Sequence, residues 1–338
     1  VSLYKVSISD STDIVSIKQN NYHTFALSSS GVLYSSGWTN VNFIGRSTSG
    51  TGNESYKLVQ TLTGVSKFAP HQNGCWAIKT NGTLWWCGSI SSYAARGDTG
   101  QSTISVNYGW LQYGSDTDWI DIDAFPNFPT ACVAIKGSTG SEYLYSCGSN
   151  YWGRLGVGTT SGSTKPWTRV KSDSTTNWSE TIEKVSIGYQ ATLIVTKGGK
   201  FFAIGDGNDG LLGQGNTTDH LYPVQVGTDT DWDIPYAKPR LIGYCIKTDG
   251  TLYGSTRSSS FFGIQPTTQD RTYRQIGTDT DYEDLRTVEY NATQTGEVIF
   301  AKKNGSWDNL NYDSSFASGS WMGNTSTLSP PTTNTWVT

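Results

Sequence analysis

The sequence predicts an all-β chain folded as a single β-propeller of four-stranded antiparallel blades, six in preference to seven, closed by pairing of the chain ends. Three observations predict it. Six hairpin-like segments recur along the 338 residues, with turn glycines 51 to 59 residues apart. A phrase made of a strand, two aspartates and an aromatic, LYPVQVGTDTDW at 221–232, recurs at 110–119 and 271–282. Aromatics at 13 % and charged residues at only 15 %, with 38 glycines, suit strands and tight turns better than helices.

The hairpins are FALSSSGVLYSSG (25–37), WAIKTNGTLWWCG (76–88), VAIKGSTGSEYLYSCG (133–148), LIVTKGGKFFAIG (193–205), CIKTDGTLYGS (245–255) and IFAKKNGSWDNL (299–310). Each alternates apolar and polar residues about a turn. Asn81-Gly82, Asp249-Gly250 and Asn304-Gly305 supply the positive φ of a tight hairpin loop. An incoming strand before the hairpin (65–69, 184–188), a Gly-rich connection after it and an outer strand such as 224–226 complete four strands per unit. Such units repeated about an axis make a propeller.

The approximate blades are 14–63, 64–118, 119–177, 178–231, 232–281 and 282–338, with 1–13 closing the last. LYKVSISDSTDI (3–14) reads as an outer strand and joint without a preceding hairpin. Pairing residues 3–8 with the final blade removes an exposed sheet edge. The tail STLSPPTTNTWVT (326–338) is the alternative source of that strand. GTDTDW is then the joint from rim to hub, in which Asp116, Asp229 and Asp279 cap turns. Trp119, Trp232 and Tyr282 anchor the incoming strand, with Trp178 and Ile14 in matching places.

The connections GSNYWGRLGVGTT (148–160) and GDGNDGLLGQGNTT (205–218) carry a resemblance. Gly148, Asn150, Gly153, Leu155 and Gly156 in one, and Gly205, Gly207, Asn208, Gly210, Leu212 and Gly213 in the other, resemble the regulator of chromosome condensation repeat. The resemblance is clearest in the third and fourth units and implies a propeller. The eukaryotic member that gives the family its name has seven blades and acts on a small GTPase at chromatin. With six hairpins and no basic arm here, the resemblance does not carry that activity over.

The net charge of −4 and the absence of Lys/Arg runs longer than a pair disfavour nucleic acid. No stretch is apolar enough to insert into a membrane, and no signal peptide is legible, so the chain reads as soluble. It begins with Val, as a processed chain or a piece of a longer one would.

Candidate chemistry is sparse. The aspartate pairs 116/118, 229/231 and 279/281 have the form of cation ligands, but their repetition at equivalent joints reads as structure. DGNDG (206–210) lacks the later acidic residue of a calcium loop. Cys75 and Cys87, and Cys132 and Cys147, sit almost symmetrically about their turns, where buried thiols are preferred to cross-strand disulfides. His23, His71 and His220 lie on different units without metal-ligand spacing. No nucleophile elbow or phosphate loop is present, so a non-enzymatic chain without metal or cofactor is expected.

Among the 13 tryptophans, Trp76, Trp85, Trp119, Trp178 and Trp232 fall in strands or joints and read as core. Trp38, Trp152 and Trp321 fall in the connections, on what should be one propeller face. With Tyr93, Tyr151, Phe261 and Phe262 they form the candidate binding surface. The polar, weakly charged surface suggests an extracellular or virion-surface binding protein. The expected form is a bacteriophage tail-fibre, receptor-binding or capsid-decorating subunit. Its partners would be other virion proteins or a host surface glycan or receptor, and a homo-oligomer is possible. The alternative is a secreted propeller lectin, with an intracellular interaction scaffold or exchange factor third.

Overall fold

The computed structural model describes residues 13–20, 23–37, 44–45, 54–72, 74–88, 109–127, 130–160, 164–238, 242–256, 271–289 and 297–309. These form six antiparallel sheets. The first is β1 (Ile14–Gln19), β2 (His23–Ser28), β3 (Leu33–Gly37) and β4 (Glu54–Leu62). The second is β5 (Val65–His71), β6 (Gly74–Lys79), β7 (Leu84–Gly88) and β8 (Leu111–Tyr113). The third is β9 (Trp119–Ala124), β10 (Ala131–Lys136), β11 (Tyr143–Ser149) and β12 (Thr164–Arg169). The fourth is β13 (Ile182–Ile187), β14 (Ala191–Thr196), β15 (Phe201–Gly205) and β16 (His220–Gln225). The fifth is β17 (Trp232–Tyr236), β18 (Ile242–Lys247), β19 (Leu252–Thr256) and β20 (Arg274–Gln275). The sixth holds three strands, β21 (Tyr282–Glu289), β22 (Glu297–Lys303) and β23 (Ser306–Asn309). The chain is the all-β propeller its hairpins predict. The chain ends assigned to its closure, 1–12 and 310–338, lie outside the described residues.

Alternation along the strands puts apolar residues on both faces, because the second to fifth sheets are each covered on two sides by neighbouring blades. Phe25, Leu27 and Leu33 of the first sheet pack on Val65 and Phe68 of the second. Trp76 and Trp86 meet Trp119 and Ile122, and Val133 and Ile135 meet Ile182 and Ile194. Leu193 and Phe201 meet Trp232, and Tyr244 and Ile246 meet Tyr282 and Leu285. Each of these five cores therefore belongs to a pair of blades, while a sixth cluster, Ile14, Ala26 and Tyr34, lies on the first sheet alone. Full burial of one such large side chain contributes roughly 1.5–3 kcal/mol, so adjacent blades stabilise one another strongly. Trp76, Trp119, Trp178 and Trp232 are buried, as core residues should be.

The repeated joint stitches these pairs at their lower edge. The Trp119 amide donates to Gly82 O at 3.1 Å, Trp232 to Gly199 O at 3.1 Å and Tyr282 to Gly250 O at 3.1 Å. Val65 to Gly31 O at 2.9 Å and Ile182 to Glu142 O at 2.9 Å are the same bond at the other two junctions. Ile182, four residues beyond Trp178, thus occupies the place assigned to Trp178. The indole of Trp178 packs instead on Phe202, with ring centroids 5.0 Å apart. Gly199 has φ +70°, and a Cβ there would lie 1.9 Å from Thr230 O, so the hairpin turn must be glycine for the joint to cross it.

The paired aspartates each hold a lysine from the end of the second strand. Lys136 Nζ lies 2.8 Å from Asp116 and 3.6 Å from Asp118. Lys247 Nζ lies 2.6 Å from Asp229 and 2.9 Å from Asp231, and Lys303 Nζ 2.6 Å from Asp279 and 3.5 Å from Asp281. The same ammonium groups stand over Trp119, Trp232 and Tyr282. Burial works against the charge on Lys247, but the Asp229 and Asp231 carboxylates outweigh it and raise its pKa. The cation that these pairs suit is part of the chain.

The hub is tied across three blades. Lys238 Nζ donates to Asp123 Oδ2 at 2.7 Å, Ala124 O at 2.6 Å and Ile187 O at 3.0 Å. All five cysteines are buried free thiols, and Cys75–Cys87 and Cys132–Cys147 are cross-strand partners.

Candidate functional site

In each antiparallel sheet the ends of the first and third strands lie at the same edge, opposite the joints. This loop face carries the connections that resemble repeats. In the first of them Asn150, fully buried, is an internal clamp: Nδ2 donates to Thr159 O at 2.6 Å and Oδ1 accepts from the Leu155 amide at 3.1 Å. Leu155 is buried in the third core, and Ser146 Oγ donates to Leu155 O at 2.7 Å. A loop fixed at Asn150 and Leu155 turns Tyr151 outward, leaves Trp152 half-buried and keeps Gly153 and Arg154 buried. Tyr151 is 49 % exposed, the one large exposed hydrophobic side chain among the described residues of this face.

Trp152 is half-buried and packs at a tilt on Tyr189, ring centroids 4.3 Å apart, while Tyr151 lies 5.8 Å from Trp152. Phe125 backs Tyr189 edge-on at 5.8 Å. These rings come from β9, β11 and β13 ends, so the cluster straddles the third and fourth blades. Arg154 lies beneath, 0 % exposed, donating to Gly188 O at 2.7 Å and Tyr189 O at 2.6 Å. Its guanidinium carbon is 5.6 Å from both the Phe125 and Trp152 rings. Desolvation lowers its pKa to about 9, which still leaves it charged at neutral pH. Thr192 Oγ1 donates back to Arg154 O at 2.8 Å, so the next blade pins the loop.

The second connection is built differently. Asp219 accepts from the Gly207 amide at 3.0 Å and Asp206 from Asn208 at 2.7 Å. Gln190 Nε2 bridges Asp206 and Asp209 at 3.2 Å each. Ser255 Oγ of the fifth sheet donates to Gly210 O at 2.5 Å. In the places of Tyr151 and Trp152 it has Asn208 and Asp209, so of these two described connections the first alone carries the aromatic platform.

Of the residues assigned to the binding surface, Tyr151 and Trp152 stand together on this face. Trp38, Tyr93, Phe261, Phe262 and Trp321 lie outside the described residues. The sequence reading missed Arg154, Tyr189 and Phe125. Arg154 inside the GRLG turn was a legible signal for a cation; its burial and its aromatic neighbours are tertiary. The structure also joins two histidines placed on separate units: Asn20 Nδ2 donates to His71 O at 2.6 Å and its Oδ1 lies 3.1 Å from His23 Nδ1. Burial, with the His23 charge second, lowers the His71 pKa to about 3.

The family model for the regulator of chromosome condensation (RCC1) repeat matches residues 142–195, the stretch that carries the clamp and the platform. A segment of 79 residues is 43 % identical to the X-linked retinitis pigmentosa GTPase regulator of Canis lupus familiaris, covering 23 % of this chain and 7 % of that one. Over 232 residues the chain is 27 % identical to the ultraviolet-B receptor UVR8 of Arabidopsis thaliana, covering 65 % of this chain and 47 % of that one. The chain thus spans a small part of the first relative and about half of the second.

Among solved structures, human WBSCR16 superposes with TM-score 0.61 at 15 % identity, covering 82 % of this chain and 72 % of that one. Prp20p from Saccharomyces cerevisiae, described with its binding to Gsp1p and histones, gives 0.61 at 14 %, covering 85 % and 71 %. At such identities the likeness is one of fold. The two sequence relatives overturn the expected extracellular or virion-surface location, since the retinitis pigmentosa GTPase regulator and UVR8 are nuclear or cytoplasmic proteins. Virion and glycan partners find no support among them.

Proposed function

Because this chain is an RCC1-like β-propeller, we propose that it is a non-enzymatic binding protein that takes a protein partner on its loop face, at the seam of the third and fourth blades. The observation that carries this is the support beneath Tyr151 and Trp152. A buried asparagine and a buried arginine hold two aromatic residues in an outward-facing loop. A buried arginine is costly unless it is hydrogen-bonded, and here the Gly188 and Tyr189 carbonyls of the next blade hold it beneath the rings. Rigid aromatics whose ordering is complete before association lose little entropy on binding, which is how interface anchors contribute.

The relatives support the class of partner. The name of one states that it regulates a GTPase, and Prp20p is described with binding to Gsp1p and histones. The partner is accordingly a folded protein or a protein segment, and the rings supply contact area while neighbouring loop polar groups supply direction.

The test is a binding titration of the purified chain against a panel of small GTPases and histones, with a glycan array beside it. Saturable binding to a protein, weakened at least tenfold in a Tyr151→Ser/Trp152→Ser variant that melts normally, is expected. Binding to glycans alone, or protein binding untouched by that variant, would overturn the proposal.

A further inference from the structure

One lysine of the joint face lacks the carboxylates that hold its counterparts. Lys79 ends β6 opposite Val65, as Lys136 stands opposite Trp119, Lys247 opposite Trp232 and Lys303 opposite Tyr282. In those three blades the aspartates three and one positions before the hub residue take the ammonium group. Before Val65 the same positions hold Leu62 and Gly64. Among the described residues Lys79 accordingly has no ion pair, and its Nζ stands 4.2 Å from the centroid of the Trp85 ring.

The difference lies in the length of the joint. Leu62 stands opposite Leu33, three positions before Val65. Its counterparts Tyr113, Val226 and Ile276 lie six positions before Trp119, Trp232 and Tyr282. The backbone still arrives at the same place: Gly64 O accepts from the Thr80 amide at 2.8 Å, as Asp118 O does from Gly137 at 2.9 Å and Asp231 O from Thr248 at 2.8 Å. What the shorter joint omits is the turn that carries the aspartates. A Cβ at Gly64 would meet Thr80 Oγ1 alone, at 3.9 Å, so nothing described crowds the place of the second aspartate.

The rest of the clamp is intact. Trp85 holds the third-strand place of Tyr145 and Tyr253, over whose rings Lys136 and Lys247 stand at 5.4 and 5.0 Å. Its Nε1 donates to Thr83 Oγ1 at 2.8 Å, and Thr83 Oγ1 donates to Asn81 Oδ1 at 2.7 Å, so the ring is fixed in advance. A half-buried ammonium over a ring, with three N–H donors and no side-chain acceptor among the described residues, suits an anion.

We propose that Lys79 and Trp85 form an open clamp that takes an acidic segment of a protein partner, an Asp-x-Asp sequence entering where the longer joints place their own. The chain itself displays this mode of binding three times. The clamp lies on the face opposite Tyr151 and Trp152, so it stands independently of that contact. Pairs between half-exposed groups contribute modestly, so the segment binds weakly by itself and acts as one contact of a larger interface.

The probe is the acetylated and amidated peptide Gly-Ser-Asp-Thr-Asp-Trp, the chain's own residues 114–119, beside a version with both aspartates changed to asparagine. Trace acetylation of the full chain, followed by peptide mapping, reads each lysine. In the free chain Lys79 should react about threefold faster than Lys303, and saturating peptide should slow it about threefold while the asparagine version does not. A variant in which Gly-Ser-Asp-Thr-Asp replaces Thr63-Gly64 restores the longer joint, and its Lys79 should react as slowly as Lys303 with or without peptide. Lys79 as slow as Lys303 in the free parent chain, or equal protection by the asparagine peptide, would overturn the proposal. Succinate that protects as well as the peptide would overturn it in favour of a free dicarboxylate. Should the longer joint not fold, Lys79→Gln takes its place: a fluorescein-labelled peptide should bind it about threefold more weakly by anisotropy, and unchanged binding would sink the clamp.

Discussion

The amide of Trp232 reaches back 3.1 Å to the carbonyl of Gly199, across the boundary between two blades. The bond can form because Gly199 presents no Cβ where Thr230 O passes. Gly199→Ala should therefore cost about 2–4 kcal/mol, combining left-handed strain with displacement of the joint. Gly114→Ala is the control: its φ is +62° with open space around it, and about 1–2 kcal/mol of strain alone is expected. Urea unfolding of both variants measures the difference.

The lysine clamps predict a second effect. Lys247 is mostly buried while Asp229 and Asp231 are half-exposed. Lys247→Met should destabilise by about 1–2 kcal/mol once the exposure of the aspartates is discounted. Because the folded pKa of Lys247 is raised, its contribution is complete below the ordinary lysine value and is lost as pH rises through the folded one. The variant should accordingly lose less stability than the parent on going to strongly alkaline pH, read by chemical denaturation.

His71 gives the opposite dependence. Its folded pKa of about 3 lies below the unfolded 6.5, so the unfolded chain binds the extra proton between them. Stability is complete above pH 6.5 and falls toward pH 3, at about 1.4 kcal/mol per unit of pH for this one group. His71→Gln should flatten the slope between pH 6 and pH 4, whatever it does to stability at pH 7.

The platform and its support separate in a fourth experiment. Trp152→Ala removes a half-buried ring and should cost less than about 1.5 kcal/mol. Arg154→Leu leaves the Gly188 and Tyr189 carbonyls without its two hydrogen bonds and should cost about 2–4 kcal/mol. Thermal melts rank the two, and partner affinity should fall in both.

What was legible in the sequence was whatever repeats locally. The hairpins, their glycines and the joints recur at short range, so periodicity revealed them. Lys136, Lys247 and Lys303 recur as well, each just before a turn, yet their pairing with aspartates some 16 to 24 positions away follows from strand order. Trp178 misled because it copies the residue type of Trp119 without its position; Ile182 makes the bond. The site was half visible. Tyr151 and Trp152 stood out as aromatics in a glycine loop, while Arg154, Tyr189 and Phe125 converge only when two blades pack.

The seam between blades also imposes a schedule on synthesis. Each hairpin carbonyl at Gly31, Gly82, Glu142, Gly199 and Gly250 waits for an amide 32 to 40 residues downstream. A ribosome emitting this chain from its N-terminus therefore leaves one unfinished edge at a time, always on the newest blade.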